Sequence, residues 1–310
     1  KGQATMAPHQ RTGGADLRYY EAKETQDLFE PIRVALEKSS AHLFEQDKVR
    51  FFDAEITARL VVVFPPAQKI NILLLIETDN KELSLLTASL QQFQEDALGK
   101  TAKDPPIVRI PTKLFKDYRP NGALALILRQ LFEWKHANDL RRLDLQTPSR
   151  RSVYIDLFMG ITASLKSAGL LRSPVIQLHP DIPSDAAASL RATAERLGAQ
   201  VGGSASDITH ELFPFEAPEE ADDDDWFRTL ERSGARSLVH WWYFPDSHDA
   251  WVPESDAGDP EPAPPHSGRW RVSARWLLDS AKFNEWMNEE DYEVEDDAAD
   301  AAASSSSTKA

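Results

Sequence analysis

Residues 270–294 read WRVSARWLLDSAKFNEWMNEEDYEV. Trp270 and Val272 alternate with Arg269 and Arg271, the two-residue period of a short strand. Ser273 follows at an N-cap position, with Trp276 three residues on. Trp276, Leu277 and Ala281 then share one side of a helix, pointing inward. Phe283 and Trp286 form a second apolar anchor before Glu289-Glu290-Asp291-Tyr292. A strand closed by a Ser-x-x-Trp helix has little apolar surface of its own, so this segment requires an upstream partner.

That partner begins near Ser173. Val175-Ile176-Gln177-Leu178 is a buried-strand run, and Ser184 is placed to cap a helix whose inner face is Ala187, Leu190, Ala194 and Leu197, ending at Gly198. Gly202-Gly203 reads as a turn and Ile208–Phe213 as a second strand. Strand, helix, strand is half of an α/β sandwich without its closing helix. The pattern predicts a discontinuous unit of residues 173–215 and 269–294, with Trp276 packed against Val175, Ile176 and Ile208.

An aromatic insert, residues 226–260, separates the two pieces. Seven of the eight tryptophans fall between Trp226 and Trp286. Leu238–Phe244 is a β-prone run, Pro245-Asp246-Ser247 is turn chemistry, Trp251-Val252 starts another strand, and Pro260 to Pro265 is a stiff exit linker. Loop closure costs only about 0.6 kcal/mol per doubling of length. Each buried Trp offers a gross gain of roughly 4–6 kcal/mol. The expectation is therefore an insert that folds on its own aromatic core.

The first half has a different texture. Residues 1–20 and 295–310 read as disordered. A helix is predicted over Thr25–Leu36, with Pro31 near its first turns. Leu86, Leu90, Phe93 and Ala97 mark a second helix stopped by Gly99. Asn121 is placed to cap a third, with Leu124, Ile127, Leu128 and Leu131 inside. Leu143-Asp144-Leu145 reads as a short extended piece. Tyr154, Phe158, Ile161 and Leu165 mark a fourth helix, ended by Gly169. The apolar runs Leu60–Phe64 and Ile70–Ile76, split by Pro65-Pro66, suggest an insertion over 49–80. Residues 21–170 thus read as a mostly helical domain compatible with a winged helix. The predicted class is multidomain α+β.

The chain has 310 residues, no cysteine and a net charge of −15, its acidic residues crowding the region after Glu216. Disulfides, Cys-zinc sites and thiol catalysis are excluded, and electrostatic wrapping of nucleic acid by the acidic half is disfavoured. Ile70–Ile76 is too short to span a bilayer. Both ends read as linker, the expectation for a piece of a longer protein.

Longer phrases carry a resemblance. LVHWWYFPDSHDAWVP resembles the centre of a chromodomain, with Trp241 and Trp251 ten residues apart. ITHELF followed by VSARWLLDS resembles the third strand and Trp-bearing last helix of a BRCT domain. FNEWMNEEDYEV, with LQQFQEDALGK, LDLQTPSR and WFRTL, is similar to the Moira-type (SMARCC-class) scaffold subunits of SWI/SNF chromatin remodelling complexes. Their N-terminal module combines MarR-like, BRCT-like and chromodomain-like units. The resemblance spans most of residues 81–297 and is poor before residue 80. It implies a non-catalytic scaffold in the nucleus that organises other SWI/SNF subunits, the ATPase included, for transcription regulation. It implies no cofactor, metal or membrane, possible contact with chromatin or histones, and dimerisation through C-terminal regions absent from this sequence, as are the family's SWIRM, SANT and coiled-coil regions.

Four candidate sites follow. Carried over from the chromodomain resemblance, Trp241 and Phe244 fall at methyl-lysine cage positions, with Trp226 or Phe227 as a third ring. Val252 stands where that cage usually has Glu, and the competing reading is that these rings are core. Lys135, Arg141, Arg142, Arg150 and Arg151, with Lys113, Lys116 and Arg119 upstream, form a basic cluster for DNA or a partner. No recognition helix accompanies it. A BRCT-type phosphate pocket is disfavoured at Leu178-His179-Pro180-Asp181, where Asp181 would repel the ligand. His210, His240, His248 and Asp249 share no metal-ligand spacing, Asp222–Asp225 lacks the spacing of a calcium loop, and no nucleophile or phosphate-loop motif is present.

Overall fold

The computed structural model describes residues 14–39, 79–140, 142–215, 227–242, 247–260, 262 and 268–294. A helical region is followed by a sheet-containing one, giving an α+β chain. The helices are α1 (Leu17–Glu21), α2 (Lys23–Asp27), α3 (30–39), α4 (Asn80–Leu98), α5 (Ala123–Ala137) and α6 (Arg151–Ser167). The helix expected over Thr25–Leu36 is broken at Leu28-Phe29. Pro31 is the cause: it has no N–H to reach back to Asp27, and its ring crowds that carbonyl, so it suits the first turn of a new helix.

Asp79 caps α4, its carboxylate accepting from the Glu82 N–H at 2.7 Å. The expected cap at Asn121 shifts by one. Gly122 is the N-cap of α5, and the Asp117 carboxylate accepts from the Ala123 N–H at 2.8 Å. A Cβ at Gly122 would lie 2.4 Å from that carboxylate, so the distant cap requires glycine. Leu143–Leu145 forms no strand. Phe29, Ile32, Leu90, Phe93, Leu124, Leu128, Tyr154 and Phe158 make the helical core.

The second region is a four-stranded parallel sheet, ordered β2 (Gln200–Val201), β1 (Val175–Leu178), β3 (His210–Phe213), β7 (Trp270–Ser273). β7 pairs with β3 from His210↔Trp270 to Phe213↔Ser273. Helix α7 (Ser184–Arg196) and helix α8 (Ala274–Phe283) pack against each other beside it. Ser184 is the first residue of α7 rather than its cap, since Pro183 takes that place without a side-chain bond. Ser273 does cap α8, accepting from the Arg275 N–H at 3.2 Å. Trp276 is fully buried with Ile176, Leu212, Val272 and Leu190. Its ring stacks with His210 at 4.6 Å and with Trp286 at 5.1 Å, and its indole N–H donates to the Met287 carbonyl at 2.9 Å. The strand signal at Gln200-Val201 was missed because two residues show no period.

Between β3 and β7 lies a three-stranded antiparallel sheet: β4 (Phe227–Ser233), β5 (Arg236–Trp241) and β6 (His248–Pro253). The alternation of β5 gives it two faces. Val239 and Trp241 pack with Val252 on one. On the other, Leu238 and Trp251 enter the helical core, where the Trp251 indole donates to Thr25 Oγ1 at 2.8 Å. The expectation of a self-sufficient aromatic core is therefore corrected. One face closes on the insert's own residues, Trp241 among them, while the other is completed by the helical region.

Candidate functional site

Three parts of the chain converge on residues 283–294, FNEWMNEEDYEV. Helix α8 ends when Asn284 adopts a left-handed conformation, φ 52°, which Asn tolerates better than most residues. The turn aims its side chain at the helical region. Its amide donates to the carbonyls of Leu98 and Ile107 at 2.9 and 2.8 Å, while its own carbonyl accepts from the Arg109 N–H at 2.9 Å. Both carbonyls would otherwise lack that partner at the end of α4 and in the loop after it.

Glu285 comes next. Its carboxylate accepts from the Thr112 N–H at 2.6 Å and lies 3.2 Å from the Arg109 guanidinium, which also holds Glu95. All three side chains are at most a tenth exposed. Burial raises the Glu95 carboxyl above its ordinary value, with Arg109 opposing the shift. Lys113 and His210 meet on Glu289. Burial would raise that carboxyl, yet the His210 hydrogen bond and the Lys113 charge hold it down at about 2. Tyr292 donates to Asp279 at 3.1 Å, and Val294 adds to the edge of the parallel sheet through the Arg271 carbonyl at 2.8 Å.

The antiparallel sheet joins through His240. Its Nδ1 is 2.6 Å from Asp249 and its Nε2 is 2.9 Å from Asp291. Burial would lower the imidazole pKa, but the two carboxylates outweigh it and push it up to about 9. Lys116 pairs with Asp249, whose carboxyl is held far below its usual range by Lys116 and His240 against burial. Arg228 reaches Glu290 at 3.2 Å. A cavity of about 220 Å³ lies where the three parts meet, with Arg109, Lys116, Arg228, His240, Trp286 and Asp291 among its walls. The arrangement is an ionic lock. Its anions have named cations, and Asp249 and Asp291 sit on opposite nitrogens of His240 rather than converging on one point. Among the described residues, no group of three or more His, Asp or Glu is placed to hold a metal. No described helix is long and apolar enough to cross a membrane.

The candidates from sequence fall as follows. Trp241 is buried, 7% exposed, with Phe227 tilted against it at 4.8 Å. Phe244 and Trp226 lie outside the described residues, as do Arg141, Asp222–Asp225 and the apolar runs at 60–76. Lys135 is half-buried, and that burial alone lowers its pKa. Arg142 and Arg150 are exposed, and Arg151 donates to the Asp96 carbonyl. Lys113, Lys116 and Arg119 are engaged by Glu289, Asp249 and Asp117. His179 leans on Asp181 at 3.4 Å. The lock itself was missed, because an acidic run beyond an apolar anchor reads as solvated surface. The available signal was Arg109 and Lys113 flanking a short apolar loop far upstream.

A family model described as a SWIRM-associated domain at the N-terminal matches residues 68–171. Its first residues fall within the stretch read as an insertion, and it ends after α6, before the parallel sheet begins. The match links the chain to proteins associated with SWI/SNF chromatin remodelling.

Proposed function

We propose that the chain is a non-catalytic scaffold module of a SWI/SNF-type ATP-dependent chromatin remodelling complex, of the Moira type. It works in the nucleus and needs no cofactor. Its task is to hold other subunits, the ATPase among them, on one rigid three-part surface. The observation that carries this reading is the buried lock at Asn284–Asp291, set beside the SWIRM-associated match. A segment that bonds to α4, the loop after it, the parallel sheet and the antiparallel sheet fixes their relative orientation, which a scaffold requires. The MarR-like, BRCT-like and chromodomain-like identities of the three parts belong to the same proposal.

The test is purification of the tagged full-length protein from nuclei, with mass spectrometry of what accompanies it. Recovery of the remodelling ATPase and its core partners in fixed proportion is the expected result. Recovery of the protein without any remodelling subunit would end the proposal. The burial of Trp241 weighs against the methyl-lysine reader. Titration of methylated histone peptides against Trp fluorescence checks it, and saturable quenching would favour the reader. The pairing of Lys113, Lys116 and Arg119 weighs against the DNA binder. Duplex binding that falls steeply with salt would favour it.

A further inference from the structure

The contacts of His240 favour a doubly protonated ring. A neutral imidazole has one N–H and one lone pair. With carboxylates at 2.6 and 2.9 Å on its two nitrogens, a neutral ring would turn its lone pair toward Asp249 or Asp291. The other groups around the ring have partners too, some of them on the same two carboxylates. Lys116, from the turn Thr112–Lys116, pairs with Asp249 and also lies over the Tyr19 ring at 4.7 Å. Arg228, opposite His240 on β4, pairs with Glu290. The Asn288 amide donates to Asp291 at 3.3 Å. Trp242 meets the ring edge-on at 5.3 Å, and His248 lines the same cavity.

The bonds on either side divide unequally. The sheet is anchored to the helices by Trp251 and Leu238. The turn Glu289–Tyr292 is anchored to the rest by Lys113, Tyr292 and Val294. Among the described residues, His240 with Asp291 and Arg228 with Glu290 are ionic contacts between the sheet and that turn, the latter on a carboxylate side chain that is 44% exposed. We propose that His240 is a charge-operated latch: its protonated ring fastens the antiparallel sheet to the turn Glu289–Tyr292, and loss of that proton parts the two along the cavity while each remains folded. The device belongs to the fold and holds whichever complex the chain serves.

The test combines NMR of the His240 ring nitrogens with hydrogen exchange followed across pH and corrected for the intrinsic rise of exchange. Both nitrogens carry protons at neutral pH. As pH rises through about 9, amides of residues 236–241 and 288–292 lose protection while those of α4, β1 and β3 keep theirs. A singly protonated ring at neutral pH overturns the proposal, and so does loss of protection everywhere at one midpoint. His240→Gln abolishes the alkaline step, and a retained step refutes the latch. Should that variant fail to fold, Asp291→Asn moves the step to lower pH, and an unmoved step refutes it equally.

Discussion

Arg109→Met removes the cation that pairs with both Glu95 and Glu285. The cation–carboxylate separation to Glu285 is 3.2 Å, which at an effective dielectric near 20 is about 5 kcal/mol of attraction before desolvation. Without Arg109, two nearly buried carboxylates face each other. Protonating one at pH 7 costs about 3 kcal/mol from an ordinary carboxyl pKa. Loss of one partner from a buried pair costs about 3–5 kcal/mol, so the two estimates meet. The assay is thermal and urea unfolding followed by Trp fluorescence, with a melting shift of roughly 6–12 °C expected. The triple change Arg109→Met, Glu95→Gln, Glu285→Gln keeps the acceptor for the Thr112 N–H and removes every charge. It recovers most of the loss, since replacing a whole buried cluster is often near neutral. A single variant within about 1 kcal/mol of the parent, or a triple variant as damaged as the single, would refute the reasoning.

Other perturbations probe the same body. Trp251→Phe loses the bond to Thr25 and part of the packed ring, costing about 1–3 kcal/mol in urea unfolding. Asn284→Gly keeps the left-handed turn and loses two hydrogen bonds to the helical region, whereas Asn284→Ala also strains the backbone. The alanine variant melts lower, by about 1 kcal/mol of stability. Acid should unfasten the lock: Glu289 titrates at about 2 when folded against an ordinary 4.5, so its contribution is complete above pH 4.5 and fades as pH falls toward 2. The loss is about 3 kcal/mol at most. Acid titration of Glu289→Gln, which lacks this component, measures it by difference.

The strand–helix return at Trp270–Phe283 was legible because alternation, a capping Ser and a large ring agree on one placement. The helical faces of α4, α5 and α6 were legible for the same reason. Three features were not. The break before Pro31 depends on which turn of the helix receives the proline. The Asp117 cap is separated from its helix by a loop, and its cue is a glycine rather than an acceptor. Glu285, Glu289 and Asp291 are buried carboxylates, and no local pattern announces burial of charge when the partners stand far away in sequence, as Arg109 and Lys113 do. Whether Trp241 faces solvent or core also depended on which face of β5 meets the helices, something a period of two leaves open.

Phe213 and Ser273 pair across an interval of sixty positions, which bears on how the chain is made. Until Trp270 emerges from the ribosome, β3 is a bare edge with Leu212 uncovered. At ordinary rates of synthesis that interval lasts roughly 3–12 s. Nascent chains, and fragments cut before residue 270, therefore present an open parallel edge to chaperones or to one another. Translation pauses in the antiparallel insert would lengthen that exposure.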